Sequence, residues 1–224
     1  MYYQLFIILF FVISCGQKGT GEGKSLTFYK SPSFDGDYEI VFEPLNQDIS
    51  GDFDAWGSLM VKNNILNVEI DVKKSPHDSL HHHHLYTVER CPDLRDDLNR
   101  DGIIDEQEVT KKTGLILIPI DGDLSEQMKG YDSHPQSNSS GTYKYQNSAS
   151  FSELLDDLLK KDTDKDDGFK KLINIFSLNL KKSVIIVFGV NPGTYLPDTI
   201  NTNGHLPFHE SFPIACGQLI SRFD

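Results

Sequence analysis

Residues 55–62 and 65–72 are two β-rich runs separated only by Asn63-Asn64, and this pairing commits the chain to antiparallel sheet. Asparagine tolerates the left-handed backbone that a two-residue hairpin turn demands, so the runs read as neighbouring strands. In the second run Val68, Ile70 and Val72 recur at period two, which places them on one buried face. Alternation returns at 25–30 and 38–42. Residues 115–120 and 183–190 are continuous β-rich runs and read as interior strands, and 212–221 reads as the last strand. Two segments read as helical, 150–161 and 168–176. The first carries Phe151, Leu154, Leu155, Leu158 and Leu159 on one face, with capping-box spacing between Ser150 and Glu153. Polar stretches fill 129–147 and 191–211. The expected architecture is mainly β: an antiparallel β-sandwich over residues 25–224, with insertions at 91–113 and 150–176 and one or two short helices.

Thirty-three acidic side chains face twenty-one basic ones, a formal charge of -12. That balance excludes binding to nucleic acid by phosphate neutralisation, and argues against recruitment to anionic lipid by a polybasic patch. Fourteen Phe and nine Tyr supply enough apolar surface for a packed core. The acidity is concentrated. Residues 93–108 hold seven acids against two arginines, and 153–168 hold seven against three lysines.

The first acidic block contains Asp97-Leu98-Asn99-Arg100-Asp101-Gly102-Ile103-Ile104-Asp105-Glu106-Gln107-Glu108. This fits D-x-[DN]-x-[DN]-G-x5-E at every fixed position and resembles an EF-hand calcium loop. A hard Ca²⁺ takes six to eight oxygens. Asp97, Asn99 and Asp101 supply them from alternate positions, and Gly102 permits the sharp turn. Ile103 offers its backbone carbonyl, Asp105 binds directly or through water, and Glu108 closes the shell with both oxygens. Apolar Ile104 is free to pack. The entering flank from Cys91 is short, and the leaving helix, 106–112, is stopped by Gly114. The second block, 162–168, has its glycine one position late and Ile173 where the closing acid belongs, so it reads as a solvated turn.

Residues 5–14 form an apolar run ending at Cys15, shorter than the roughly 20 residues that span a bilayer. The run reads as a signal-peptide core. Val12-Ile13-Ser14-Cys15 resembles the lipobox of bacterial lipoproteins, which implies cleavage after residue 14 and a lipid on Cys15. An ordinary secretory peptide is the other reading. Residues 15–24 are Gly-rich and polar, as a tether is. The chain would then be held at a membrane by its N-terminal lipid, on the extracytoplasmic side of a bacterial envelope. In that oxidising compartment the two remaining cysteines, Cys91 and Cys216, are expected to pair.

Four histidines are contiguous, His81–His84. On a strand His82 and His84 share one face, and His81 and His83 the other. One reading is a polar edge strand with surface imidazoles. The other is a metal site, because an H-x-H pair can give two imidazoles to one ion. The order Ala55-Trp56-Gly57-Ser58-Leu59, then 68–72, the histidine strand, Cys91, 184–189 and finally Ile214-Ala215-Cys216-Gly217-Gln218-Leu219 resembles copper/zinc superoxide dismutase. The resemblance implies a Greek-key sandwich and copper at His82 and His84, with His134 the available histidine of the corresponding polar loop. It also joins the Cys91 loop to the last strand. Phe188 stands where that family has a further copper histidine, and Pro213 where it has its guiding arginine. The expected function is therefore that of a non-catalytic calcium-binding surface lipoprotein with no catalytic residues. Copper binding or dismutation through the histidine strand is the alternative, and a surface adhesion module a third.

Overall fold

The computed structural model describes residues 35–114, 116–125, 133–154 and 180–223. The expected signal segment, Cys15, the tether, the strand at 25–30, the acidic turn at 162–168, the helix at 168–176 and most of the helix at 150–161 lie outside these residues. Within them the protein is mainly β, a single antiparallel sheet of eight strands that curls on itself. The strands are β1 (Gly36–Pro44), β2 (Asp54–Lys62), β3 (Ile65–Lys74), β4 (His82–Thr87), β5 (Ile118–Pro119), β6 (Tyr143–Ser150), β7 (Ser183–Phe188) and β8 (Pro213–Ser221). Their order across the sheet is β5-β4-β7-β8-β1-β2-β3-β6. Two helices, α1 (Gln47–Ser50) and α2 (Glu106–Thr113), and a 3₁₀ turn at Leu180–Lys182 lie between strands. Residues 151–154 begin a helical segment at the predicted place.

The hairpin forms as read. Asn63 and Asn64 both take positive φ, 50° and 66°, and Lys62 pairs with Ile65. Leu66, Val68, Ile70 and Val72 of β3 are all buried. They share one core with Leu85 and Ile118 at the far end of the sheet, which is why the sheet curls. The opposite edges are also tied by polar contacts. Tyr145 Oη donates to the carbonyl of Asp121 at 2.6 Å, and Leu80 bridges Gln136.

β7 is buried at every position, as a continuous apolar run should be. Ile185 and Val187 enter the main core. Val184, Ile186 and Phe188 face outward and are covered by a second cluster that includes Leu45, Ile104 and Val109. The insertion after Cys91 therefore roofs the outer face of β7 and β8. A disulfide between Cys91 and Cys216 pins it there, with Cα atoms 5.8 Å apart. Each fully buried aliphatic side chain in that roof contributes about 1.5–3 kcal/mol.

Two elements differ from the sequence reading. The run at 115–120 forms only the two-residue edge strand β5, although Ile118 and Ile120 are buried. The polar stretch 129–147 contains the start of β6, which pairs with β3 over its whole length. Tyr143 and Tyr145 are its buried residues, separated by exposed Lys144.

Candidate metal centres

The 97–108 loop is closed by its own side chains. Asp97 accepts from the backbone N–H of Arg100 at 2.6 Å and of Gly102 at 2.8 Å. Asn99 accepts from Asp101 and Asp101 from Ile103. Gly102 has φ +83°, in the region a side chain resists, and this is where the chain turns back. Asp105 caps α2. Its side chain accepts from Glu108 N at 2.9 Å, and Glu108 Oε2 accepts from Asp105 N at 3.1 Å, a reciprocal capping box. The other oxygen of Glu108 accepts from Leu98 N at 2.6 Å, drawing the twelfth position over the second.

Three supports hold the loop to the sheet. Ile104 is 3% exposed and packs under the roof with Val109. Asn46 grips Ile104 on both backbone groups, accepting from its N–H and donating to its carbonyl at 2.8 Å each. Asn46 also donates to Pro213, at the start of β8. On the entering side Arg90 makes a two-pronged contact with Asp96, at 2.7 and 2.9 Å. Arg95 beside Asp93 holds that carboxyl well below the usual carboxylate range. The third support is the segment after Thr199. Asn201 gives its backbone and side-chain amides to Asp105 Oδ2, and Asn203 gives its backbone N–H to Glu106.

The histidine run is divided by the pleat, as alternation requires, but it is not an exposed edge. β4 has β5 on one side and β7 on the other, and His81 through His84 are all buried, His84 the most open at 4%. Gly189 makes the close approach possible at the start of the run. Its φ is +115°, and a Cβ there would stand 2.0 Å from the carbonyl of Leu80. On the inner face His83 Nε2 and the Tyr143 hydroxyl lie 2.8 Å apart, and the His81 ring stacks on Tyr143 at 4.9 Å.

On the outer face His82 and His84 meet His134. Ring centroids are 4.0 Å apart for His82–His134 and 6.2 Å for the other two pairs. His82 Nε2 lies 3.0 Å from Glu210 Oε2. An ionised carboxylate only accepts, so Nε2 is the protonated nitrogen and Nδ1 carries the lone pair. Nδ1 of His82 and Nδ1 of His134 are buried with no hydrogen-bond partner. Phe188, paired with His82 across the ladder, puts its ring 5.4 Å from that of His84.

Burial sets the charge state of these rings. It pulls His84 down to about 3 and His134 to about 4, and it lowers His82 although Glu210 opposes it. All three are neutral near pH 7, the form that donates to a metal. Each unpartnered ring nitrogen costs about 1–3 kcal/mol. As placed, the rings pack against one another: among the described residues no three His, Cys, Asp or Glu side chains form a metal-holding group. The loop carboxylates likewise accept from backbone amides.

The structure thus brings Asp97, Asn99, Asp101, Ile103, Asp105 and Glu108 into one closed loop, and His82, His84 and His134 into one cluster. Glu210, Asn46 and Asn201 escaped the sequence reading. Glu210 lies in a polar stretch with no periodicity, and single asparagines carry no signal of what they clamp. No protein-family model matches this chain, and no curated protein matches it.

Proposed function

We propose that the protein is an extracytoplasmic calcium-binding protein, anchored by lipid on Cys15 and built on a superoxide dismutase-like sandwich without dismutase catalysis. The conformation of the 97–108 loop carries this reading. Gly102 turns the chain at the sixth position, and the capping box joins the ninth and twelfth. The residues that would hold the ion are Asp97, Asn99, Asp101, the Ile103 carbonyl, Asp105 and Glu108. The curled antiparallel sheet, the cysteine bridge from a loop to the last strand and the outward H-x-H pair support the proposed fold. Phe188 beside His84 and Pro213 at the head of β8 support the absence of dismutation.

An ion that binds only the folded state stabilises it by RT ln(1 + [L]/Kd). For a dissociation constant on the order of 10⁻⁴–10⁻³ M, calcium at about 1 mM contributes about 0.4–1.4 kcal/mol. The melting temperature should rise by a few degrees in calcium and fall with chelator, and the Glu108→Gln variant should show neither response. A melting temperature indifferent to both would refute the proposal.

A second reading is favoured by the unpartnered nitrogens of His82 and His134. These two residues with His84 would hold a transition metal, copper or zinc, as buried neutral imidazoles. Such an ion would accept the lone pairs of the His82 and His134 ring nitrogens that have no hydrogen-bond partner. Elemental analysis of protein purified without a metal-affinity column tests it. Loss of the metal in a His82→Ala, His84→Ala double variant is the expected result.

A further inference from the structure

The loop and the histidine cluster are joined by one stretch of chain, residues 199–211. At its beginning it is strapped to the loop. Asn99 donates to the Thr199 carbonyl at 3.1 Å, and Gln107 to the Thr202 carbonyl at 3.0 Å. Asn201 donates twice to Asp105 Oδ2, at 2.8 and 3.1 Å. Asn203 reaches Glu106 at 2.7 Å through its backbone, and Thr110 at 2.8 Å through its side chain. At its end the same stretch carries Glu210, whose carboxylate holds His82. Toward this end the chain is braced. Glu210 N and Ser211 N both donate to the Pro207 carbonyl, His209 Nε2 meets the Thr194 carbonyl at 2.9 Å, and Val190 N donates to His209. Ser211 and Phe212 are 1% exposed, so the end of the strap is seated in the core before β8 begins.

We propose that Glu210 is a positioning residue for His82, and that the strap makes its hold depend on the ion in the 97–108 loop. This rests on both readings above. Asp105 is the shared element: one of its oxygens caps α2 through Glu108 N, and the other receives Asn201. An ion that fixes Asp105, Asn99 and the helix start also fixes the groups to which Thr199, Asn201, Thr202 and Asn203 are bonded. The ordering of the strap is then already met when the histidines take a second ion, which is positive coupling without a new contact. Glu210 fixes the His82 ring and its Nδ1 lone pair, as a carboxylate behind a ligating histidine does.

The test uses the mature chain, stripped of metal, with Zn²⁺ as probe in competition with a chromogenic chelator. Zinc affinity should rise about 5-fold or more in millimolar calcium, and by linkage zinc should raise calcium affinity by the same factor. Asn201→Ala with Asn203→Ala should abolish the mutual effect while both ions still bind, whatever calcium affinity is lost by loosening Asp105. Glu210→Gln should weaken zinc binding and abolish the mutual effect, with calcium affinity unchanged. If both ions bind and neither alters the other, or if calcium weakens zinc, the coupling is refuted and the two sites stand. If zinc or calcium does not bind at all, the underlying reading fails and the coupling with it.

Discussion

Asn46 ties the 97–108 loop to the last strand. It has φ 53°, a left-handed conformation that asparagine tolerates, and from it three side-chain hydrogen bonds reach Ile104 and Pro213. Its amide joins the eighth position of the 97–108 loop to the first residue of the last strand. Asn46→Ala removes those bonds and strands partly buried backbone groups, so it should destabilise the protein by about 2–3 kcal/mol in urea unfolding. Calcium affinity should fall with it, because Ile104 loses its register on the sheet. At this scale the sequence was informative where chemistry has spacing. The turn at Gly102 could be read, and so could the split of the histidines between two faces. It was silent where a residue acts through one distant partner, as Asn46, Asn201 and Glu210 do. Such a partner is set by topology and has no local pattern.

Among the elements, β7 and the loop insertion explain each other. The even positions of β7 face outward yet are apolar, because Ile104, Val109 and Leu45 cover them. A continuous run was therefore readable as interior strand, whereas the cover was not. Polar β6 was unreadable for the opposite reason. Only Tyr143 and Tyr145 mark its inner face, and the strand exists because β3 offers a full ladder of partners. The run at 115–120 was apolar enough for an interior strand but fell at the edge, since its burial comes from the curl and the roof. The Cys91–Cys216 bond anchors this roof across 125 residues of sequence. Replacing both cysteines by serine should cost about 2–5 kcal/mol. It should also lower calcium affinity, because the entering flank then loses its covalent tie to β8. Parallel melts and calcium titrations of the double variant check both effects.

At the scale of the whole molecule, the fold buries His81 through His84 as neutral imidazoles. Burial lowers His81 to about 4, takes His83 well below its ordinary value and depresses His84 and His134 similarly. The unfolded chain binds these protons near pH 6.5, and the folded chain refuses them until about pH 4. Stability is therefore complete above pH 6.5 and declines as pH falls from there toward 4. Each histidine contributes about 1.4 kcal/mol per pH unit inside that window. Several acting together exhaust a total stability of about 5–15 kcal/mol. Metal-free protein should thus unfold cooperatively between about pH 6 and pH 4, a transition that circular dichroism would follow. His83→Phe with Tyr143→Phe should move the transition to lower pH.

The proposed calcium ion would act on the same molecule through its acidity. Seven of the thirty-three acids lie in residues 93–108, and a divalent ion there offsets two of the five net negative charges of that block. The measurement that tests this most directly is a calcium titration of the mature protein by calorimetry. The proposal predicts one ion per chain, lost in Glu108→Gln and in Asp97→Asn. No binding at millimolar calcium, or binding that both variants retain, would contradict it.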